Sequence, residues 1–448
     1  MRPQSPIPEL LSGWGRYPVA PCRIDRPRDA AALRAILARD GPALIARGMG
    51  RSYGDSAINP GGVIDMRRLD HMLDFDAARG VLTVEAGVVL GDVIAAFLPR
   101  GWFPPVTPGT KFVTIGGMIA ADVHGKNHHR DGSFGNFVEW IDLMGADGQL
   151  TRCSRAENPA LFAHTVGGMG LTGIILRAAF RLRRVQSAWI RQETIPCGNL
   201  DAVMRAFERA QAATYSVAWI DCLATGSDLG RSILMLGEHA GRGEVPDGSR
   251  PFETPHRARR RVPLDAPSWA LNRLSVRAFN ALYYRQGARR AGLSIVDWDS
   301  YFYPLDAILE WNRIYGRPGF AQFQCVLPPE RARAGLTALL QAISGAGKGS
   351  FLAVLKRLGP QESAFSFPMD GYTLALDFPV NAAVLALLET LDGITLAHGG
   401  RFYLAKDARM RAGTQARADA RTAAMTSFRD THRMRTRFAS QQSTRLGL

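Results

Sequence analysis

The stretch RGMGRSYGD, residues 47–55, follows the apolar run PALIA, which is typical of a buried strand that ends in a glycine loop. A dinucleotide-binding fingerprint needs glycines at its first, third and sixth positions and a helix that opens directly behind them. Here the third glycine is displaced to Gly54, and Pro60, Gly61 and Gly62 exclude a helix directly after the loop. The Rossmann interpretation therefore fails, which leaves a tight turn or a nest of backbone N–H groups around an anion.

Two further glycine clusters lie downstream of this loop. The first is TIGGMIAADVHGKNHH, residues 114–129, preceded by PGT at 108–110, and the second is VGGMGLTG, residues 166–173. Small residues let a bulky planar ligand approach the backbone closely. Three such clusters, each beside a strand, are hard to explain as turns alone.

Short strands and short helices alternate along the chain, which favours an α+β fold whose sheets are not wholly parallel. The middle region has the order typical of a sheet with helices on one face. We expect domains at 1–185, 186–400 and 401–448, the last being an arginine-rich segment that packs back on the first. The sequence predicts strands over 42–46, 81–85, 138–144, 149–153, 174–182, 216–221, 319–327, 351–356 and 372–378, and helices over 90–98, 200–213, 330–344 and 382–391.

The charge of the chain is unusual, with 55 basic against 40 acidic residues and a net charge of +15. Such a field attracts nucleic acid, anionic lipid or a phosphorylated substrate, although a GC-rich genome also raises arginine content. One basic run, His256–Arg261, lies in a Pro/Gly-rich stretch that we expect to be a mobile loop. Because no aromatic residues interleave with the arginines, we expect no nucleic acid but a membrane surface or a phosphate group. The C-terminal share comprises Arg409, Arg411, Arg417, Arg421, Arg429, Arg433, Arg435 and Arg437.

Targeting and metal signals are weak. The most apolar stretch, 81–98, contains Glu85 and Asp92, and the N-terminus lacks the apolar run of a secretory signal. Five cysteines without a CxxC pair favour a reducing compartment. His124, His128 and His129 lack a neighbouring Cys or carboxylate at ligand spacing, so we expect no metal. We therefore expect a cytoplasmic or peripheral membrane protein.

The order RGMGRSYGD, PGT, TIGGMIAADVHGKNHH, GSFGN, GGMGLTGII resembles the FAD-binding domain of the vanillyl-alcohol oxidase/p-cresol methylhydroxylase (PCMH) superfamily. Within it, the chain is similar to the oxidases of polyprenylphosphoryl-ribose through SVAWID, WNRIYGRPGFAQFQ, FLAVLK, GYTLALDFP and GGRFYLAKDAR. The resemblance covers nearly the whole chain. It implies a two-part PCMH-type FAD-binding domain and a substrate-binding cap domain of antiparallel sheet and helices.

The resemblance also implies how FAD is held. Superfamily members that bond FAD covalently through this loop carry histidine where this chain has Arg51, so non-covalent FAD is expected. The expected FAD-binding residues are Ala46, Arg47, Gly48, Met49, Gly50, Arg51, Ser52, Tyr53, Gly54, Asp55, Ser56, Gly109, Thr110, Thr114, Ile115, Gly116, Gly117, Ala121, Asp122, Val123, His124, Ile174 and Tyr403.

Oxidation of a sugar hydroxyl requires a base near the reacting carbon while hydride passes to the flavin. Lys406 and His124 match the family's catalytic candidates; Lys406 is either that base or a cation that binds phosphate or hydroxyl. Taken alone, a strand lysine is usually solvated and Trp219 is usually core. By resemblance, the substrate-binding positions are Lys126, Trp219, Gln322, Gln324, Lys356, Thr373 and Ala375.

Two positions depart from the family. Thr373 replaces an asparagine, which bears on the identity of the sugar. Ala375 replaces a cysteine that covalent nitroaromatic inhibitors attack, so oxidase activity without covalent inhibition is expected.

The function implied is oxidation of the 2′-hydroxyl of a polyprenylphosphoryl-β-D-ribose to the 2′-keto sugar, the first half of epimerisation to the arabinose donor of cell-envelope arabinan. A short-chain NAD(P)H-dependent reductase is the expected partner, and the basic loop and tail are expected to contact the membrane. Two alternatives stay open: an aldonolactone or alditol oxidase with a small soluble substrate, and a basic lipid- or nucleic-acid-binding protein on a degenerate flavin scaffold.

Overall fold

A computed structural model of the protein describes residues 8–255, 257–267 and 271–448. The first seven residues of the N-terminal segment and His256 of the basic run lie outside the described residues. The N-terminal strands are β1 (Glu9–Ser12), β2 (Val19–Cys22), β3 (Ile24–Asp25), β4 (Ile45–Arg47), β5 (Val63–Asp65), β6 (Met72–Asp76), β7 (Val81–Glu85), β8 (Trp102–Phe103), β9 (Val138–Met144), β10 (Leu150–Ser154), β11 (Ile174–Arg181) and β12 (Arg183–Arg184). The helices among them are α1 (Ala30–Leu37), α2 (Leu90–Phe97), α3 (Ile115–Ala120), α4 (His128–Asp131) and α5 (Pro159–Thr165).

The rest of the chain contributes strands β13 (Trp189–Cys197), β14 (Tyr215–Ile220), β15 (Ser232–His239), β16 (Arg260–Arg261), β17 (Gly292–Asp297), β18 (Ile308–Leu309), β19 (Phe320–Leu327), β20 (Ala353–Leu358), β21 (Gly371–Pro379) and β22 (Arg401–Phe402). Its helices are α6 (Leu200–Arg209), α7 (Arg273–Arg289), α8 (Trp298–Phe302), α9 (Pro329–Gly345), α10 (Ala382–Ala397), α11 (Ala412–Ala418), α12 (Arg421–Thr431) and α13 (Gln441–Leu446).

Two sheets organise the N-terminal part. A parallel sheet has the order β3-β5-β4, and an antiparallel sheet has the order β10-β9-β11-β7-β6. The mixture confirms the α+β class. No helix forms between β4 and β5, which agrees with the exclusion of the Rossmann interpretation.

An antiparallel eight-stranded sheet, ordered β17-β13-β15-β14-β20-β21-β19-β22, forms the middle of the chain. Helices α6 and α9 cover the face that carries Tyr372: Phe207 packs on Tyr372, and Gly335 lies against Leu327, the residue paired with Tyr372. Helix α7, which the sequence did not predict, packs on the other face. A Cβ on its Gly287 would lie 2.7 Å from Ile233, which is on the opposite face.

Helix α7 and strands β13, β15 and β17 were not among the predicted elements. Helix α7 has apolar residues on both its buried side, as at Val276, and its exposed side, as at Leu274 and Leu282, so the sequence shows no single apolar face. Its position depends instead on the close approach that Gly287 permits and on a hydrogen bond of 2.8 Å from Asn280 to Asp221.

The C-terminal segment contacts the N-terminal part at several places. Leu44 donates its N–H to the carbonyl of Arg437 at 2.8 Å, and Arg445 pairs with Asp55 at 2.7 Å. The fully buried Arg429 donates to the Leu171 carbonyl at 3.0 Å. The exact domain boundaries remain a prediction.

Much of the tail's positive charge is internal. Arg409 pairs with Asp392, Arg421 with Asp419, and Arg437 donates to carbonyls at the end of α1. These arginines and Arg429 are therefore bound by the protein itself, and contact of the tail with a membrane stays a prediction.

Within the described ranges, no helix combines the length and the apolar character needed to cross a membrane. The five cysteines are buried and carry free thiols.

Candidate active site

The loop after β4 presents unpaired backbone donors. Among the described residues, the N–H groups of the five consecutive residues Gly48 to Ser52 find no protein acceptor, and the pairing resumes at Tyr53, which donates to the Ala405 carbonyl at 2.8 Å. Gly50 has φ of 63°, a left-handed conformation that turns neighbouring N–H groups toward a common point. This geometry fits an anion such as a pyrophosphate.

Side chains fix the loop from the protein side. Arg47 donates to the carbonyls of Ser12 at 2.7 Å and Ala57 at 3.2 Å. The Asp55 carboxylate is held by Arg445. A Cβ on Gly48 would lie 2.1 Å from Thr114 Oγ1, so only glycine lets the loop sit this close to α3. Because these side chains are bound by the protein, the groups left to bind a ligand are the backbone N–H groups of the loop.

Arg51 occupies the position where a linking histidine would stand. Its guanidinium lies 4.0 Å from the centroid of the Trp14 ring and 5.4 Å from that of Phe112. Its Nε is buried without a partner in the described part of the chain. Burial lowers the pKa of Arg51, and the charge of Asp306 opposes this effect.

The glycines of the second cluster and of the preceding PGT differ in how much free space lies beside them. Nothing lies within 4 Å of a Cβ placed on Gly109, and only Thr114 lies near one on Gly117. Gly116 instead packs on Ala86, where a Cβ would come within 2.8 Å. Gly109 and Gly117 thus leave room beside the backbone for a flat ring, which fits a flavin.

Several expected cofactor residues lie behind this surface. Ile115 and Ile174 are fully buried in the core, and Val123 is buried as well. The Asp122 carboxylate accepts hydrogen bonds from Ser133 Oγ at 2.7 Å and the Gly135 N–H at 2.8 Å. Their side chains therefore support the cofactor surface rather than line it.

Strand register collects the expected substrate residues on one face of the eight-stranded sheet, which we call the site face. Trp219 pairs with Val354, Val354 with Ala375, and Ala375 with Gln324. Cross-strand partners point to the same side of a sheet, so these four residues form one row. In flanking rows, Lys356 pairs with Thr373, and Gln322 pairs with Asp377.

His124 meets this face through Gln324. The Gln324 amide donates to His124 Nε2 at 3.1 Å and to Thr373 Oγ1 at 3.2 Å, and Thr373 in turn donates to the Cys325 carbonyl at 2.8 Å. This network assigns the imidazole proton to Nδ1, which is buried without a partner among the described residues. Burial and the nearby lysines hold the pKa of His124 well below its usual value, so the ring is neutral.

Three lysines converge on the same region. Lys406 Nζ lies 3.6 Å from the centroid of the Tyr53 ring. Burial lowers the pKa of Lys356 to about 8 and, together with the charge of Lys356, lowers that of Lys126 to about 7. Burial also lowers the pKa of Lys406, and the nearby Asp377 opposes that shift. The site is therefore rich in amines that lose their protons more readily than free lysine.

Asp377 is a site residue that the sequence pattern had not singled out. It is 1% exposed, burial raises its pKa, and the Gln322 amide donates to its carboxylate. It follows Thr373 and Ala375 at intervals of two along β21, so strand periodicity could have found it.

Tyr403 contacts both the end of α3 and the site face of the eight-stranded sheet. Its hydroxyl donates to the Ala121 carbonyl at 3.0 Å, its N–H donates to the Gln324 carbonyl at 3.1 Å, and its ring stacks on Phe367. A narrow cavity here is lined by Ala121, Phe367 and Tyr403 together with Gly167 and Met169. No cluster of His, Cys, Asp or Glu suited to a metal ion occurs within the described residues.

The chain is similar in sequence to one protein family and to several known proteins. The family described as FAD binding domain matches residues 21–154. Decaprenylphosphoryl-beta-D-ribose oxidase of Mycolicibacterium smegmatis is 36% identical over 417 residues, which is 90% of this chain and 90% of that protein. An uncharacterized Streptomyces coelicolor protein from the mprA 5′ region is 32% identical over 329 residues, 70% of this chain and 87% of its own length. An uncharacterized oxidoreductase of Rhodococcoides fascians, ORF5 in the fasciation locus, is 34% identical over 170 residues, 38% of each chain.

Proposed function

Because the chain belongs to the family of decaprenylphosphoryl-β-D-ribose oxidase, and is thus an FAD-dependent oxidoreductase, we propose that it oxidises the 2′-hydroxyl of a polyprenylphosphoryl-β-D-ribose to the 2′-keto sugar. The observation that carries the substrate class is the convergence of Lys126, Lys356 and Lys406. Lys356, whose pKa of about 8 keeps it mostly protonated at neutral pH, and the protonated fraction of Lys126 supply positive charge, so the site favours an anionic ligand even with Lys406 neutral. A phosphate-bearing sugar meets that requirement, and a neutral alditol does not.

The same loops would hold FAD. The N–H groups of Gly48 to Ser52 would bind its pyrophosphate, and Gly109, Gly117 and Tyr403 would lie beside its ring system. Bound FAD supplies the hydride acceptor for the oxidation. Arginine offers no nucleophile for a flavin bond, and the Arg51 side chain lies against Trp14, so we propose that FAD is held without a covalent link.

In this mechanism, Lys406 is the base that removes the proton of the substrate hydroxyl. The acceptor nitrogen of His124 is already engaged by Gln324, so His124 can only donate, through Nδ1, to a substrate oxygen. Lys406 has a lowered pKa and therefore carries a free amine in part of the population near neutral pH. Its Nζ accepts the proton of the hydroxyl, while Lys356 and Lys126 balance the phosphate charge.

The product and the lipid chain imply partners. A 2′-keto sugar becomes the arabinose epimer only when a second enzyme returns hydride, so we propose a short-chain NAD(P)H-dependent reductase as partner. The arabinose product would then be used to build cell-envelope arabinan. A polyprenyl chain resides in a bilayer, so we propose that the enzyme works at a membrane surface.

Two measurements test this function. An absorbance spectrum before and after acid precipitation should show flavin released into the supernatant; flavin retained in the pellet would disprove non-covalent binding, and colourless protein after soaking with FAD would favour the degenerate-scaffold alternative. Anaerobic bleaching of the flavin should follow addition of polyprenylphosphoryl ribose and not of free alditols. Bleaching by alditols alone would instead favour the soluble sugar oxidase.

A further inference from the structure

Exposed apolar side chains are concentrated in one part of the surface. Of the eleven large apolar residues that the described part of the chain exposes, seven lie between positions 264 and 308, so their distribution is not the scatter of an ordinary surface. They are Leu264, Leu274, Phe279, Leu282, Tyr283, Leu293 and Ile308.

Helix α7 is the centre of this patch. Val276, Asn280 and Gly287 face the sheet, where Asn280 donates to Asp221. Leu274 and Leu282, eight residues apart and separated by Ala278, form a stripe on the outer side and are 78% and 56% exposed. The helix thus buries one face and presents leucines on the other.

The same segment is strongly basic. Between residues 257 and 293 the sequence has nine arginines and one acidic residue, Asp265, which Arg16 and Arg313 already pair. Five of the arginines lie on or just beyond α7, and none of the five is ion-paired within the described ranges. They are Arg273, Arg277, Arg285, Arg289 and Arg290. Exposed leucines among unpaired arginines are the composition of a helix that lies in the headgroup region of an anionic bilayer.

Aromatic side chains connect this helix to the site. Tyr283 lies 4.7 Å from Trp219, centroid to centroid, and Trp219 begins the row that ends at Gln324, the partner of His124. Three strand spacings separate Trp219 from Gln324, about 14 Å. The edge of α7 that carries Tyr283, which is 38% exposed, therefore lies next to the apolar end of the site face.

A second series of contacts leads to Lys406. Phe279 packs on Phe351 at 5.6 Å, Phe351 stacks on Tyr315, and Tyr315 stacks on Phe320. Phe320 in turn contacts Tyr53, whose ring lies under Lys406.

We propose that the outer face of α7 docks on an anionic phospholipid bilayer, with Leu274 and Leu282 inserted and the arginines at the headgroups, so that a lipid chain passes from the bilayer along Tyr283 and Trp219 into the site. The docking surface rests on exposure and charge alone. Only the delivery of the lipid chain rests on the proposed function. The bilayer is favoured over a protein partner because exposed leucines stand among the cations, and a bilayer offers acyl chains and anionic headgroups together.

Flotation of the FAD-loaded protein with phosphatidylcholine vesicles, with and without phosphatidylglycerol, tests the surface. We expect wild-type protein to float with the phosphatidylglycerol vesicles only, and the double variant Leu274→Ser/Leu282→Ser to bind them at least about tenfold more weakly. Arg285→Gln/Arg289→Gln should weaken binding and reduce its salt dependence. The matched control is Leu10→Ser, because Leu10 is 75% exposed on β1, outside the patch. Equal thermal unfolding and flavin content would show that every variant is folded.

Three outcomes would overturn the proposal: wild-type protein that does not float, a leucine variant that floats like wild type, or sedimentation showing a dimer that the leucine substitutions abolish, since the face would then bind a second copy. Flavin bleaching by a short-chain phosphoryl ribose is measured on the same samples and reads out the proposed function separately. We expect that bleaching to be unchanged in the leucine variant. Its absence in wild type would reject the oxidase proposal and leave the flotation result valid.

Discussion

The loop after β4 and the site face of the eight-stranded sheet differ in the atoms that they offer to a ligand. The loop offers backbone N–H groups, with its side chains turned to the protein, as in the Arg47 and Asp55 contacts. The site face offers side chains such as Lys356 and Gln324, because its backbone N–H and C=O groups are hydrogen-bonded to neighbouring strands.

This difference teaches how each region tolerates change. A nest depends on backbone conformation and close approach, so any added atom disturbs it whatever its chemistry. A sheet face keeps its backbone when a side chain changes, so function there depends on charge and hydrogen bonding. Substitutions in the two regions should therefore fail in different ways.

Replacing Lys406 by methionine should have the largest effect, lowering kcat about 1000-fold, because the loss of a general base typically costs between 100- and 10,000-fold. The backbone is unaffected, so flavin content should stay at the wild-type level. Stopped-flow flavin reduction measures both quantities.

The pH dependence separates the two roles of Lys406. Burial lowers its pKa, so the free amine accumulates as pH rises through that value, and a base should give activity that increases with pH and then levels off. A purely electrostatic cation would give activity that falls over the same range, and a Lys406→Arg variant would keep most of it. Either result would mean that Lys406 is not the base and that another group accepts the proton of the substrate hydroxyl.

Replacing Gly48 by alanine should weaken FAD binding about 10- to 100-fold, because overpacking costs about 1–3 kcal/mol. The new Cβ would lie 2.1 Å from Thr114 Oγ1 and would push the loop away from α3. Titration of apoprotein with FAD measures this effect. Gly413→Ala is the matched control, since nothing lies within 4 Å of its Cβ position. Unchanged affinity in Gly48→Ala would mean that the nest does not bind the cofactor.

Replacing Asp377 by asparagine should move the rising limb of the pH profile to lower pH by about one unit. The Asp377 charge raises the pKa of Lys406, so its removal lowers that pKa, while the amide of Gln322 can still donate to the new oxygen. Asp228→Asn serves as control because the Asp228 side chain is 61% exposed and, among the described residues, pairs with Arg231 on the surface. A profile that stays in place would separate Asp377 from Lys406.

Replacing Ala375 by cysteine should have the smallest effect, changing kcat by less than about threefold, as for other mild substitutions at partly exposed positions. The five native cysteines are buried, so the new thiol should be the rapidly alkylated one. Mass spectrometry after a short exposure to iodoacetamide should show one adduct on the variant and none on wild type, and substrate should slow its formation. Activity lost in the unmodified variant would show that Ala375 has a stricter role.

The sequence alone determined the glycine loop after β4, the exclusion of a Rossmann helix and most strands near the site, because glycine spacing and alternation are local properties of a few consecutive residues. It also placed Gln322 and Gln324 on one side of their strand. Only the tertiary structure decided that Gln322 binds Asp377, that Gln324 sets the proton of His124, and that the tail's Arg429 is internal while the outer face of α7 is exposed. Those facts depend on register and packing between residues far apart in the chain, which no local pattern encodes.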